Sequence, residues 1–170
     1  EIQGDGLPVF LVYAQVVTDK LGPVNFLPRP RRSFGVDIRE VPSSEAWKSQ
    51  KKVLTEATII IDAIFGTGLV KAAEGLYSQA IQDINKCGAF KLAVDIPSGL
   101  PSDGFELIGP AVKADLTVTL AAPKIAHVLP PAEEYVGELI ISDISVPRRL
   151  FEDPALKLEL VEKATVLPTF

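Results

Sequence analysis

One pattern occurs twice in this chain and limits its fold more than any other feature: an apolar, β-branched run that ends in an aspartate and a glycine-containing turn. Residues 57–68 read ATIIIDAIFGTG, and residues 90–99 read FKLAVDIPSG, so that Asp62 and Asp95 stand 33 positions apart. A short continuous apolar run bounded by turn residues predicts a strand buried on both faces, the kind found in parallel sheets. In open parallel sheets ligands collect at the carboxyl ends of the strands. Each run therefore delivers an acid to the edge where chemistry is done.

Between the two runs, Leu76, Ala80, Ile81, Ile84 and Cys87 recur at helical spacing, predicting a helix over 74–87 that Gly88 ends in a left-handed conformation. Strand, helix, strand makes a βαβ unit with a right-handed crossover. Upstream, Ser43 or Ser44 caps a helix of about three turns carrying Trp47, Gln50, Val53, Leu54 and Ala57 on one stripe. Further strands are predicted at 7–14, at 116–120 and at 138–141, with a short exposed strand over 36–41. Pro23, Pro28 and Pro30 forbid a regular helix over 15–35, which reads as a loop. Residues 1–150 form one domain, and 151–170 read as a tail or linker.

The 170 residues are 47% hydrophobic with a net charge of −5, a composition that suits a soluble globular domain. No apolar run reaches the roughly 20 residues of a membrane span. A sequence pI near 4.9 argues against nucleic-acid binding, which requires clustered cations; Arg29, Arg31 and Arg32 read as a solvated loop. The single cysteine, Cys87, cannot form an internal disulfide, which fits a reducing, cytoplasmic setting. Glu1 in place of a methionine implies that the start of the protein lies upstream.

The strand-end residues admit two readings each. Gly66-Thr67-Gly68 with Lys71 nearby suits an anionic group such as a pyrophosphate, or is simply a tight turn. Asp62 caps a turn or ligates a hard cation through oxygen. Asp95 and Ser98 either point into one cavity or close a hydrogen-bonded turn on themselves. Lys124 contacts a phosphate or a developing charge, or caps its strand end. His127, the only histidine, is read as structural.

Five ordered blocks, DAIFGTGL (62–69), VDIPSGL (94–100), KADLTVTLAAPK (113–124), HVLPPAEEYVGEL (127–139) and DISVP (143–147), resemble the NAD(P)H-hydrate epimerase family of the YjeF N-terminal type. The resemblance implies an α/β, Rossmann-like, doubly wound and mainly parallel sheet. It implies interconversion of the R and S epimers of hydrated NADH and NADPH (NADHX and NADPHX), a nucleotide-repair reaction. It further implies potassium ligated by Asp62 and Ser98. Substrate binding falls to Gly66, Thr67, Gly68, Leu69, Val70, Lys71 and Ala72, with Asp95 as the substrate-contacting acid. We expect Asp95 to carry the proton chemistry and Lys124 to join the substrate-binding set.

The family's loop GNNGGDG follows its first strand, and only Gly4-Asp5-Gly6 echoes its end. The chain therefore reads as lacking that first strand, the loop and its helix. A sheet edge left open in this way invites homodimer pairing. The tail resembles the link into a fused dehydratase. Competing expectations are a non-catalytic module of the same type that binds RNA or protein, and a generic nucleotide-binding domain.

Overall fold

Five pentapeptides rich in valine, isoleucine and leucine build the sheet of the computed structural model, which describes residues 9–13 by their backbone, 39–153, and 156. They are β1 (Val9–Tyr13), β2 (Ile59–Ala63), β3 (Phe90–Val94), β4 (Leu116–Leu120) and β5 (Glu138–Ser142). All four pairings are parallel, and the order is β1-β2-β3-β4-β5. The parallel, Rossmann-like α/β architecture expected of the sequence is thus present, and the described strands follow chain order without a reversal.

Right-handed crossovers in a sheet of that order all fall on one face. Burial agrees. Asp62 stands opposite Ala93, which stands opposite Thr117; these residues, with Ile60 and Thr119, are all buried on one face. On the other face Ile59, Ile61, Leu92 and Val118 are half-buried, and Phe90 and Ile140 are exposed.

The covered face carries two apolar clusters. One joins Trp47 and Leu54 to Ile60, Ile64, Ala80, Ile81 and Ile84; the other joins Ile96, Leu100, Ala111, Ala126, Ala132 and Val136. Helix α3 (Gly75–Lys86) supplies the predicted stripe to the first cluster. Its end differs from expectation. Cys87 leaves the helix in an extended conformation, φ −79° and ψ 154°, because β3 begins three residues later; among the described residues the glycines with positive φ are Gly75, Gly99 and Gly137, not Gly88.

Upstream, one three-turn helix was expected and two short ones form, α1 (Ser44–Gln50) and α2 (Val53–Glu56). Ser43 caps α1, accepting from the Ala46 N–H at 3.2 Å. At Lys51 the bonding pattern tightens: its N–H reaches back four residues to Trp47, whereas Leu54 and Thr55 reach back only three. Lys51 and Lys52 are exposed and Gln50 is only half-buried, so no buried side chain at this point holds the helix in one piece. The turn nevertheless keeps Trp47 and Leu54 on one cluster, and Trp47 Nε1 donates to Asp83 on α3 at 2.9 Å.

Residues 39–41 form no strand: no other strand pairs with them, and Pro42 has no N–H to offer one. The expected loop over 15–35 lies outside the described residues, as do residues 36–38 of the expected strand and most of the tail beyond 153. No helix among the described residues is long and apolar enough to cross a membrane.

Ile81 has no exposed surface. Ile81→Ala should lower unfolding stability by about 2–5 kcal/mol in urea titrations; a loss below about 1 kcal/mol would show that α3 is not packed as described.

Candidate functional site

Parallel pairing brings the ends of β2, β3 and β4 to one edge, and the chain after each end turns back over it. Asp62, next to last in β2, is completely buried. Both its carboxylate oxygens are occupied from the turn after β3: Oδ1 accepts the Ser98 hydroxyl at 2.6 Å, and Oδ2 accepts the Ser98 N–H at 2.8 Å. Oδ1 also takes the Ile64 N–H at 3.3 Å, while Ser98 Oγ accepts the Phe65 N–H at 2.9 Å. The two strand ends thus meet through a carboxylate and a hydroxyl. Burial pushes the Asp62 carboxyl above the usual range, opposed by the bonds from Ser98 and Ile64.

Ser98 is fixed from behind as well, its carbonyl accepting the Val112 N–H at 2.8 Å. Gly99 makes this possible. Its φ is +107°, and a Cβ there would lie 2.2 Å from the Pro110 carbonyl oxygen, so no other residue fits without moving the backbone.

Asp95 faces the other way, toward β4. Its backbone is left-handed at φ +70°, a conformation uncommon outside glycine, and its N–H is bound to the Val118 carbonyl at 2.8 Å. Oδ1 receives the Leu120 N–H at 3.0 Å, lies 3.2 Å from the Thr119 hydroxyl, and is paired with the Lys124 ammonium. Oδ2 makes no hydrogen bond among the described residues. Partial burial acts to raise the Asp95 carboxyl, but the Lys124 hydrogen bond and charge, the Leu120 N–H and the Thr119 hydroxyl outweigh it and hold it below the usual range. Asp95 is therefore ionised at neutral pH.

Lys124 reaches back because the chain turns sharply at Ala121, itself left-handed at φ +66°. Besides Asp95, its ammonium meets Thr119 Oγ1 at 2.8 Å and the Leu120 carbonyl at 3.2 Å. Three hydrogens find three acceptors.

Helix α4 (Ile125–Val128) follows at once, and His127 lies in it with 3% of its surface exposed. Its Nδ1 accepts the Lys124 N–H at 3.0 Å, so a neutral ring carries its proton on Nε2, which lies toward the Asp95 main chain but outside hydrogen-bond geometry with any of the described residues. Burial first, and then the Lys124 charge, lower its pKa from 6.5 to about 4; the Asp95 carboxylate and main chain oppose this. His127 is thus a neutral, buried residue that fixes the backbone of Lys124.

The turn from Gly66 to Ala72 lies largely at the surface, with Lys71 and Val70 exposed and Leu69 and Ala72 half-buried. Neither Gly66 nor Gly68 has positive φ, and a Cβ on either would meet nothing within 4 Å. Internal packing does not require glycine at these two positions. The turn flanks a cavity of about 450 Å³, lined on one side by Thr67, Leu69 and Val70 and on the other by Ser102, Asp103 and Glu106. Ser102 joins the two sides by donating to the Thr67 carbonyl at 2.8 Å.

Of the residues singled out in the sequence, Asp62 and Ser98 come into direct contact, as do Asp95 and Lys124. Thr67, Leu69 and Val70 line the cavity, whereas Gly66, Gly68, Lys71 and Ala72 do not, and none of the seven makes a side-chain hydrogen bond to either pair. Thr119 and the loop carrying Ser102, Asp103 and Glu106 were not anticipated. Thr119 had one legible sign, its position two residues after Thr117 on the same strand face, since two buried hydroxyls there need partners. Among the described residues no group of three or more His, Cys, Asp or Glu side chains is arranged to hold a metal ion.

With this geometry in view, the chain matches the family model of the YjeF-related protein N-terminus over residues 31–126. It is 35% identical over 168 residues to a bifunctional NAD(P)H-hydrate repair enzyme Nnr of Thermofilum pendens, covering 97% of this chain and 31% of that protein. It is 42% identical over 95 residues to an NAD(P)H-hydrate epimerase of Limosilactobacillus fermentum, covering 56% of this chain and 46% of that protein. A bifunctional repair enzyme Nnr of Moorella thermoacetica is 43% identical over 97 residues, 57% of this chain and 18% of that protein. The chain spans less than half the length of each of these relatives.

A histidine whose folded pKa lies below its unfolded value is protonated first in the unfolded chain, so stability falls as pH drops from 6.5 toward 4. His127→Leu should remove that slope, worth up to about 3 kcal/mol at roughly 1.4 kcal/mol per pH unit. Urea unfolding at pH 7 and pH 4.5 measures it. The difference between the two proteins isolates His127, because Asp62, whose raised pKa acts in the opposite sense, is common to both; equal slopes would contradict the assignment.

Proposed function

The chain belongs to the family of the YjeF-related protein N-terminus, and on that premise we propose that it interconverts the R and S epimers of hydrated NADH and NADPH. The observation that carries this reading is the division of labour between two strand-end carboxylates. Of their four oxygens, only Asp95 Oδ2 is left without a hydrogen bond among the described residues, and it belongs to the acid held ionised beside Lys124. The names of the relatives, epimerase and hydrate repair enzyme, support the substrate.

The hydrate bears a hydroxyl on the carbon next to the ring nitrogen. As that C–O bond breaks, the nitrogen lone pair forms a C=N bond, giving an iminium cation, and the hydroxyl leaves as water once protonated. Water then adds to the same carbon from the opposite face and loses a proton, so the reaction is balanced with no oxidant or reductant. The departing hydroxyl takes its proton from solvent; the ionised Asp95 stabilises the cation, takes a proton from the returning water at Oδ2 and hands it back to solvent, so one proton enters and one leaves in each turnover. Gly66, Thr67, Gly68, Leu69, Val70, Lys71 and Ala72 bind the substrate. Because neither Gly66 nor Gly68 is required by packing, their value lies in letting a ligand approach the backbone. The acidic rim of the cavity at Asp103 and Glu106 suits an uncharged ring better than a phosphate, which Lys71 serves.

A potassium ion is the cofactor in this reading, and the residues fit one. Asp62 is fully buried with no cation among its hydrogen-bond partners, and Ser98 Oγ and the Phe65 carbonyl lie 3.4 Å apart beside it, a set of hard oxygens. Asp62 and Ser98 would hold the ion, whose charge offsets the buried carboxylate and fixes the two loops. The proposal extends to a fused dehydratase, as in a bifunctional relative of which this chain matches 31%, to a cytoplasmic setting, and to a homodimer through an exposed sheet edge.

Incubation with hydrated NADPH in potassium buffer, followed by chromatographic separation of the epimers, tests the reading. Equilibration should be much faster than the uncatalysed rate, slower when lithium replaces potassium, and reduced at least about 100-fold in Asp95→Asn with its circular dichroism spectrum unchanged. Near-normal turnover by Asp95→Asn would remove Asp95 from the chemistry, and no acceleration by the unaltered protein would remove the function.

A further inference from the structure

We propose that Lys124 is a positioning residue for Asp95: its ammonium group, committed to three internal acceptors, pins one carboxylate oxygen and leaves the other as the one that meets substrate. The proposal rests on the preceding reading for the identity of the reaction, but not for the pin itself. The sequence leaves Lys124 between two roles, a contact to phosphate or developing charge and a cap on the strand end; the geometry points to a third.

Every hydrogen of the ammonium has an acceptor: Asp95 Oδ1, Thr119 Oγ1 at 2.8 Å and the Leu120 carbonyl at 3.2 Å. To bind a phosphate, Lys124 would have to release at least one of them. The lysine and aspartate side chains are only 17% and 19% exposed, so solvent has little access to compete for the pair. Lys124 is held at its other end too, by its own N–H on Nδ1 of the buried His127. The acceptor is equally constrained. Asp95 sits in a left-handed backbone conformation with its N–H on Val118, and Oδ1 also takes the Leu120 N–H.

All these donors converge on Oδ1, and Oδ2 is spared. A carboxylate gripped on one oxygen cannot rotate freely to present either, so the proton-accepting atom has a fixed position, as an orientation-dependent step requires. Among the described residues, the charged and titratable groups that face Asp95 are Lys124 from the turn after β4 and His127 from α4, and His127 is neutral above about pH 4. The lysine charge therefore dominates the field at Asp95.

The test is the titration of Asp95 itself, followed by carbon-detected NMR on protein labelled at the aspartate carboxyl carbon. In the unaltered protein Asp95 should titrate below the ordinary aspartate value. In Lys124→Met, where burial persists without the charge, it should move up past that value, while Lys124→Arg should keep much of the depression. An unchanged titration in Lys124→Met overturns the proposal. Should that variant fail to fold by circular dichroism, Thr119→Val decides instead: it keeps the volume, removes the hydroxyl shared by Lys124 and Asp95, and should shift Asp95 upward by less, no shift again being fatal. In turnover of hydrated NADPH, Lys124→Met should lose about tenfold or more in kcat with KM within about twofold. A phosphate contact would show the reverse, a raised KM with Asp95 titrating as before. If the unaltered protein does not turn the hydrate over, the functional reading fails while the titration still settles the pin.

Discussion

The clasp between Asp62 and Ser98 is the interaction on which the arrangement of this edge depends. A parallel sheet aligns strand ends but does not by itself order the loops that leave them. Here one carboxylate, buried completely, takes both the hydroxyl and the N–H of a single serine from the neighbouring strand's turn. The same hydroxyl accepts the Phe65 N–H, so the start of the turn after β2 and the turn after β3 are parts of one bonded unit. Gly99 completes it by allowing the Pro110 carbonyl to approach closer than any side chain would permit. A buried carboxylate whose pKa is raised is a cost to the fold, and such costs concentrate at functional edges.

From that unit the second carboxylate is directed elsewhere. Three residues before Ser98, the left-handed turn at Asp95 sends its side chain toward β4, where Leu120, Thr119 and Lys124 are waiting. The two acids therefore differ in environment although they arise from the same sequence pattern. One is buried, fully bonded and shifted upward; the other is partly exposed, bonded on one oxygen and shifted downward. Groups pushed apart in this way can hold different tasks in one site, and the proposed reaction uses them so, with Asp62 structural and cation-binding and Asp95 transferring the proton.

Much of this frame was legible because strong local signals and tertiary packing agree. The runs at 90–94 and 116–120 are strands with the expected bounds, and helix α3 carries the expected buried stripe. Legibility failed where two local signals competed. A helical stripe through Trp47, Val53 and Leu54 hid the tightening at Lys51, and Gly88 looked like a helix stop although the nearness of β3 already required an extended exit. Pairing of Asp62 with Ser98 was open to sequence reasoning, since one lies at the end of β2 and the other in the turn after its neighbour β3. Capture of Asp95 by Lys124 was not, because it depends on a left-handed Asp95, a left-handed Ala121 and a buried His127 acting together. The cavity loop around Ser102 escaped notice for a related reason: its polar residues look like any surface turn until the fold sets them against Thr67.

We propose that the hydrated nucleotide binds at the polar edge formed by the ends of β2, β3 and β4. Amide chemical shifts recorded while hydrated NADPH is titrated into the potassium-loaded protein address that location without reference to turnover. The account predicts saturable shifts at Gly66, Gly68 and Lys71 and at Asp95 and Ser98, with α1 and the carboxyl end of α3 unaffected. Shifts confined to Lys48, Lys51, Lys52 and Lys86, at the opposite edge of the sheet, or no saturable shifts at all, would contradict it.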